Sequence, residues 1–327
     1  MIDELISIVI PTHNRSEILA NVSVPSVINQ IYKNWELIIV DDGSTDNTRE
    51  VCVKLMENDS KIKYYYKENG GQGSARNFGI RMAKGDFVLL LDSDDALLPE
   101  MINIMLLTLI YQKGDMIKCR KWDFNYGKGI FNVSGDNPSC HIYRKELFEK
   151  MGFYGEDRNL IGIEDADLTL TWNKYSAENG SMIKEIMIDM PLVVYLSHVD
   201  QATSNANLPK KKQMIESILN KYHEDLFADK REMFVKYREL GNIKILLGDS
   251  SGRKDILKSL SVKFNIESVI LLAISYLGKN FYRYQIGVIK KIRERVFWKI
   301  AIKSEIKKFP LSYKNAMSIT KNYKDWR

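Results

Sequence analysis

Three carboxylates within four residues, Asp92-Ser93-Asp94-Asp95, close an apolar run and repel one another. A divalent cation relieves that repulsion, because carboxylate oxygens suit Mg2+ or Mn2+ and the ion also offsets phosphate charge. The bland alternative is an acidic turn that caps the next helix. Asp41-Asp42-Gly43-Ser44-Thr45-Asp46 closes a second run. Gly43 permits a tight turn and Ser44 or Asp46 can cap a helix, which leaves Asp41 and Asp42 for a base N–H or a ribose hydroxyl. Pro11-Thr12-His13-Asn14-Arg15 and Gly70-Gly71-Gln72-Gly73 follow two further runs. The first offers hydrogen-bond donors, and the glycines of the second allow backbone to approach a ligand. Arg76 just beyond them suits a phosphate or a base face. The glycine run has neither Walker A spacing nor the dinucleotide Gly-x-Gly-x-x-Gly spacing. Glu164-Asp165, with Asp167, opens another helical stretch, where acids are favoured by the helix dipole and adjacent carboxylates can also act as a general base. His198 is one of only four histidines.

The elements that hold these groups follow from periodicity. Short β-branched or aromatic runs at 6–10, 36–40, 63–67 and 87–91 alternate with helical text at 16–32, 46–58 and up to 83. That alternation predicts βαβ units and a mostly parallel α/β sheet. Each polar cluster then falls at the C-terminal end of a strand, the edge where open α/β sheets bind ligands. A helix is predicted over 97–111 with Pro99 in its first turn. Residues 115–150 read as irregular, and strands are expected near 183–188 and 192–196. Beyond Pro209 the text turns to basic, Leu/Ile-rich helices with a break at 248–253.

Charge divides the chain at the same place. Residues 1–209 hold 21 Lys+Arg against 30 Asp+Glu, and residues 210–327 hold 27 against 12, so the net +6 describes neither part. We therefore expect two domains, 1–209 with the chemistry and 210–327 as a basic helical extension. From Lys279 onward, 14 Lys+Arg meet 3 acids among interleaved aromatics. Such helices either lie on an anionic membrane or pack on the protein or on another copy. Nucleic acid is not expected, because no reader motif is present. The longest near-apolar run, 269–277, is about half of the ~20 residues a bilayer span needs. An odd three cysteines and an N-terminus without a basic, apolar leader point to the cytoplasm, with peripheral attachment to the inner membrane face as an option.

In order and spacing, Ile-Val-Ile-Pro-Thr-His-Asn-Arg, Ile-Ile-Val-Asp-Asp-Gly-Ser-Thr-Asp, Asn-Gly-Gly-Gln-Gly-Ser-Ala-Arg-Asn-Phe-Gly-Ile and Leu-Leu-Leu-Asp-Ser-Asp-Asp together resemble the family-2 glycosyltransferases, over roughly residues 5–200. The resemblance implies a GT-A fold, a nucleotide-sugar donor (most often a UDP-sugar), a Mn2+ or Mg2+ cofactor and inversion at the anomeric carbon. It places Pro11, Thr12, Asn14 and Arg15 along the nucleotide, Asp42 on the uracil and Arg76 near base or diphosphate. Asp92, with Ser93, falls on the ribose side. The metal falls to Asp94 or Asp95, with His198 as a further ligand. It makes Asp165 the general base, with Glu164 and Asp167 behind it, and gives Trp122, Phe124, Tyr126 and Trp172 either acceptor or core roles. By the same analogy the acceptor is a glycan or lipid-linked glycan in cell-surface polysaccharide assembly. A sugar nucleotidyltransferase would carry its glycine loop directly after the first strand, where Pro11-Thr-His-Asn-Arg15 stands. An inactive nucleotide- or membrane-binding scaffold would not need intact Asp-x-Asp and Glu-Asp pairs.

Overall fold

The computed structural model describes residues 3–125, 129–134, 137–156, 164–197, 208–221, 230–292 and 299–321. The chain groups into two compact units: Met1–Arg158, Tyr175–His198 and Ile300–Arg327 form one, Asn159–Lys174 and Val199–Lys299 the other. This grouping differs from a division at residue 209, because the last helices join the first unit.

The first unit is built on a nine-stranded sheet in the order β3-β2-β1-β4-β8-β6-β9-β5, with β7 on β6. β1 (Ile6–Thr12), β2 (Trp35–Asp42), β3 (Ile62–Lys67) and β4 (Phe87–Leu90) pair in parallel. β1 is buried along its whole length, which its continuous apolar text requires of a central parallel strand. Helix α1 (Thr48–Asn58) and helix α2 (Gln72–Met82) cross between these strands. α2 lies so close to β1 that a Cβ on Gly79 would sit 2.2 Å from Val9 Cγ1, so only glycine fits there. The predicted helix at 16–32 is interrupted: Ser16–Ile18 and Val24–Ile28 flank a π-helical turn at Leu19–Ser23.

Elsewhere long-range pairing overrides local pattern. β5 (Asp95–Leu97) occupies the start of the predicted 97–111 helix, because its backbone pairs antiparallel with Val193–Tyr195. Pro99 therefore precedes helix α3 (Met101–Tyr111) instead of opening it. The stretch read as irregular holds β6 (Met116–Asn125), β7 (Gly129–Ser134), β8 (His141–Arg144) and helix α4 (Glu146–Met151). The two strands expected near 183–196 are one, β9 (Glu185–Ser197), which follows β6 in parallel through two register shifts.

Helices α5 (Lys299–Lys308) and α6 (Pro310–Lys321), with Phe309 between them, pack Ile302, Ile306, Phe309 and Tyr313 on Trp122, Phe124, Val194 and Leu196. Trp122 Nε1 donates to Ser312 Oγ at 2.9 Å, and Arg120 pairs with Glu305 at 3.2 Å. The apolar side of this part of the basic tail is thus occupied within the protein. Trp122, Phe124 and Trp172 are buried, and Tyr126 lies outside the described residues. The three cysteines are free and buried. In the second unit, helices α7 (Leu208–Lys221) and α8 (Lys230–Leu247) bury Met214, Ile218, Met233 and Leu240 together with Leu170. Helices α9 (Gly252–Val262), α10 (Ile266–Ser275) and α11 (Lys279–Ile292) continue it, and the interruption between α8 and α9 spans 248–251, within the expected 248–253. Among the described residues, no helix is long and apolar enough to cross a membrane.

Candidate functional site

At the C-terminal edge of β1, β2, β3 and β4 four loops meet. The turn after β4 carries Asp92 and Asp94, whose side chains remain 19% and 16% exposed. Asp92 Oδ1 accepts from Arg76 Nη2 at 2.8 Å and from Gln72 Nε2 at 2.9 Å, both on α2. Arg15, from the loop after β1, pairs with Asp94 at 3.5 Å. The structure therefore brings Arg15, Arg76, Asp92 and Asp94 together as the sequence pattern requires. Arg76 itself is buried, with its guanidinium 5.2 Å from the Tyr154 ring centroid, so it positions Asp92 from below.

Asp95 turns the other way. It is fully buried in β5, and its Oδ2 accepts from Asn137 Nδ2 and Ser139 Oγ, each at 2.7 Å. Ser139 Oγ also accepts from the Asp92 amide at 3.0 Å, which links the inward carboxyl to the turn. Burial, with the neighbouring Asp94 and Asp92 charges adding to it, pushes the Asp95 carboxyl well above the usual aspartate range.

Asp41 and Asp42, left unassigned by capping, both have internal work. Asp41 accepts from the Ser44 amide at 2.8 Å and from Tyr64 Oη at 2.7 Å. Asp42 accepts from Lys67 Nζ at 2.7 Å, the Gly70 amide at 2.9 Å and the Gly71 amide at 2.8 Å. Gly71 has φ +90°, a conformation that glycine adopts at little cost and that helps turn consecutive amides toward one carboxylate. The Asp42 carbonyl accepts from His13 Nδ1 at 3.0 Å and Asn69 Nδ2 at 2.9 Å. Asn14, at φ +52°, accepts from the Thr45 amide at 2.7 Å and donates its own amide to Ser44 Oγ at 2.9 Å. Its side chain thus braces the first loop against the second. Thr12 Oγ1 is buried at this edge with no hydrogen-bond partner among the described residues. Such a group costs free energy unless a ligand or water meets it.

Glu164, Asp165 and Asp167 open the helix Glu164–Asn179. Asp165 is exposed. Asp167 is buried and pairs with Lys221 at 2.6 Å. Glu164 is buried with both carboxylate oxygens lacking a hydrogen-bond partner among the described residues. His198 lies outside the described residues. Sequence reasoning missed Lys67, Gln72, Asn137 and Ser139. Gln72 stood inside the quoted glycine run, whereas Asn137 and Ser139 carry no local signal, because long-range packing brings them to Asp95.

For the cation, oxygen ligands are the right chemistry, and Asp92 and Asp94 are the partly exposed carboxylates of the turn. The described residues contain no group of three or more His, Cys, Asp or Glu able to hold a metal. A hydrated divalent ion completed by nucleotide phosphates needs only one or two protein carboxylates, so the donor set fits such an ion.

The profile of Glycosyl transferase family 2 matches residues 7–154. An uncharacterized glycosyltransferase, RT0329, of Rickettsia typhi is 38% identical over 228 residues, covering 62% of this chain and 67% of that protein. The GalNAc(5)-diNAcBac-PP-undecaprenol beta-1,3-glucosyltransferase of Campylobacter jejuni is 26% identical over 84% of this chain and 94% of its own length. The match to glycosyltransferase GlyG of Streptococcus pneumoniae, 36% identical over 39% of this chain, spans only 42% of that relative. Among solved structures, the mannosyltransferase PcManGT of Pyrobaculum calidifontis, in complex with GDP-Man and Mn2+, superposes with TM-score 0.54 at 14% identity over 98% of this chain and 88% of its own. TarS 1-349 of S. aureus, in complex with UDP-GlcNAc, gives 0.50 at 20% identity over 98% and 93%. At those identities the likeness establishes the fold.

Proposed function

This chain belongs to the family-2 glycosyltransferases, and from that premise we propose that it moves a sugar from a nucleotide-sugar to an acceptor hydroxyl with inversion. One observation carries the donor half of this reading. Asp92 and Asp94 stand on one turn, where Arg76 reaches Asp92 from α2 and Arg15 reaches Asp94 from the loop after β1. A site that holds two partly exposed carboxylates among cations is prepared for a ribose, a divalent ion and a diphosphate. We assign Asp92 to the ribose and Asp94 to Mn2+ or Mg2+, and leave Asp95 out of the ligand set because it faces the interior. A bound ion would supply charge neutralisation for the departing diphosphate. Pro11, Thr12 and Asn14 shape the nucleotide edge, with Thr12 Oγ1 offering an unmet hydrogen-bonding group.

The acceptor oxygen attacks the anomeric carbon as the bond to the diphosphate oxygen breaks, and its proton passes to a general base. We assign that base to Asp165, which is exposed, in preference to Asp167, which Lys221 already neutralises. Glu164 is the second choice. The relative named for an undecaprenol-linked glycan supports a glycan or lipid-linked acceptor.

A thermal-shift panel of UDP-, GDP- and dTDP-sugars with and without Mn2+ tests the proposal. A donor at about 100 times its Kd stabilises by about 2.7 kcal/mol, so one donor class should raise Tm by several degrees, and more with the ion. A panel in which no nucleotide-sugar moves Tm would overturn it.

A further inference from the structure

Helix α10 carries apolar residues on both of its sides. Inward, Leu271 is buried with Leu272 and Ile274 packed on the same core, beside the buried Ser268 and Ser275. Its outward side carries Ile266 (64% exposed), Ile270 (49%) and, continuing the same i, i+4, i+7, i+11 stripe through Ala273, Leu277 (64%). That spacing is the periodicity of a buried helix face, here turned to solvent. Phe264 (74%) precedes the stripe in the chain, and Tyr284 (67%) of α11 is exposed as well. Isolated exposed apolar residues need no explanation, but a continuous stripe of this kind marks a surface that something covers.

The charge around the stripe selects the occupant. Residues 253–286 contain six Lys+Arg and two acids. Both acids are already met: Asp255 by Lys244 at 3.0 Å, Glu267 by Arg238 at 3.2 Å. In the chain, Lys263 precedes the stripe and Lys279 follows it. Arg253 stacks over the exposed Tyr276 at 4.2 Å. Apolar residues rimmed by cations and aromatic rings match the boundary between acyl chains and anionic headgroups. A second copy of the chain is disfavoured, since a two-fold interface would bring the two basic rims together.

We propose that the α10 face, from Phe264 to Tyr284, seats the protein on an anionic lipid surface. This moves the membrane contact expected of residues 279–327 upstream, because α5 and α6 have their apolar sides occupied within the first unit. The surface is independent of the donor chemistry, so it can stand if the transfer reading falls.

Flotation of the full chain with vesicles tests it. Phosphatidylcholine vesicles containing roughly a third phosphatidylglycerol should retain the protein at least tenfold more strongly than phosphatidylcholine alone, and salt should weaken the binding. The triple variant Ile266→Ser, Ile270→Ser, Leu277→Ser should lose that binding about tenfold or more. Its circular-dichroism melt should match the wild type, since the three positions are exposed. A charge variant that spares the apolar side chains, Lys263→Glu with Lys279→Glu, should lose it as well. Equal binding to neutral and anionic vesicles, retained binding in both variants, or a wild-type dimer that the serine variant dissolves would each overturn the proposal.

Discussion

Replacing Asp42 by alanine tests whether this carboxylate acts as a clamp on the glycine loop. Three donors lose their acceptor at once: Lys67 Nζ at 2.7 Å, and the amides of Gly70 and Gly71 at 2.9 and 2.8 Å. Hydrogen bonds to a charged group contribute about 1.5–3 kcal/mol each, so complete loss would approach roughly 4.5–9 kcal/mol. That ceiling is not reached. The Lys67 side chain is 18% exposed and both glycines are only partly buried, so water replaces much of what is removed. About 3 kcal/mol remains, which for a domain of this size lowers Tm by roughly 6–12 °C. The loop leads directly into α2, which carries Gln72 and Arg76, so nucleotide affinity should fall more than tenfold with the same change. A companion variant separates a clamp from a direct contact to the base. Lys67→Met removes one donor to Asp42 and leaves the carboxylate in place. A clamp predicts weaker UDP binding by calorimetry in both variants, with a smaller Tm loss in Lys67→Met. An Asp42→Ala protein that melts with the wild type would refute the reasoning, whatever its affinity.

Asp94→Asn should cost less than about 1 kcal/mol of stability, because its ion pair with Arg15 is long and partly exposed, yet abolish the Mn2+-dependent part of nucleotide affinity in titration calorimetry. Gly79→Ala forces a Cβ to within 2.2 Å of Val9 Cγ1, an overpacking expected to cost about 1–3 kcal/mol in urea unfolding with the m-value unchanged. Asp95 gives a pH prediction. Its folded carboxyl is raised, so its proton-bound form is favoured; its stability contribution is full below the unfolded aspartate pKa of about 3.9 and declines as pH rises toward the folded value. Asp95→Asn removes that decline, so its Tm relative to wild type should climb as pH rises above about 4. A difference that stays constant as pH rises would contradict it.

Much of the donor edge was legible because each of its strands is a short apolar run ending on a polar cluster, and such runs in parallel sheets need no distant information. Arg15, Arg76, Asp92 and Asp94 came together for that reason. Asp95 did not announce its direction: only its pairing with Tyr195 in β5, three residues long, turns it inward. The role of Asp42 was equally hidden, since it depends on the positive φ of Gly71 and on the reach of Lys67. β6 carries Lys118, Arg120 and Lys121 along a strand in mid-sheet, which breaks the alternation that marks a strand in sequence. The tail's sequence left membrane contact and packing on the protein open alike, because a basic amphipathic helix suits both; α5 and α6 spend their apolar residues on Trp122 and Leu196, and the exposed stripe lies upstream in α10.

The central claim is that an exposed carboxylate, Asp165, takes the acceptor proton in a direct displacement. The most direct measurement compares wild type and Asp165→Asn for nucleoside diphosphate release from a nucleotide-sugar in the presence of Mn2+ and a glycan acceptor, alongside donor Kd. The account predicts a kcat lowered by about 100-fold or more with donor Kd and Tm unchanged, as removal of a general base requires. An Asp165→Asn enzyme that turns over at the wild-type rate would contradict it.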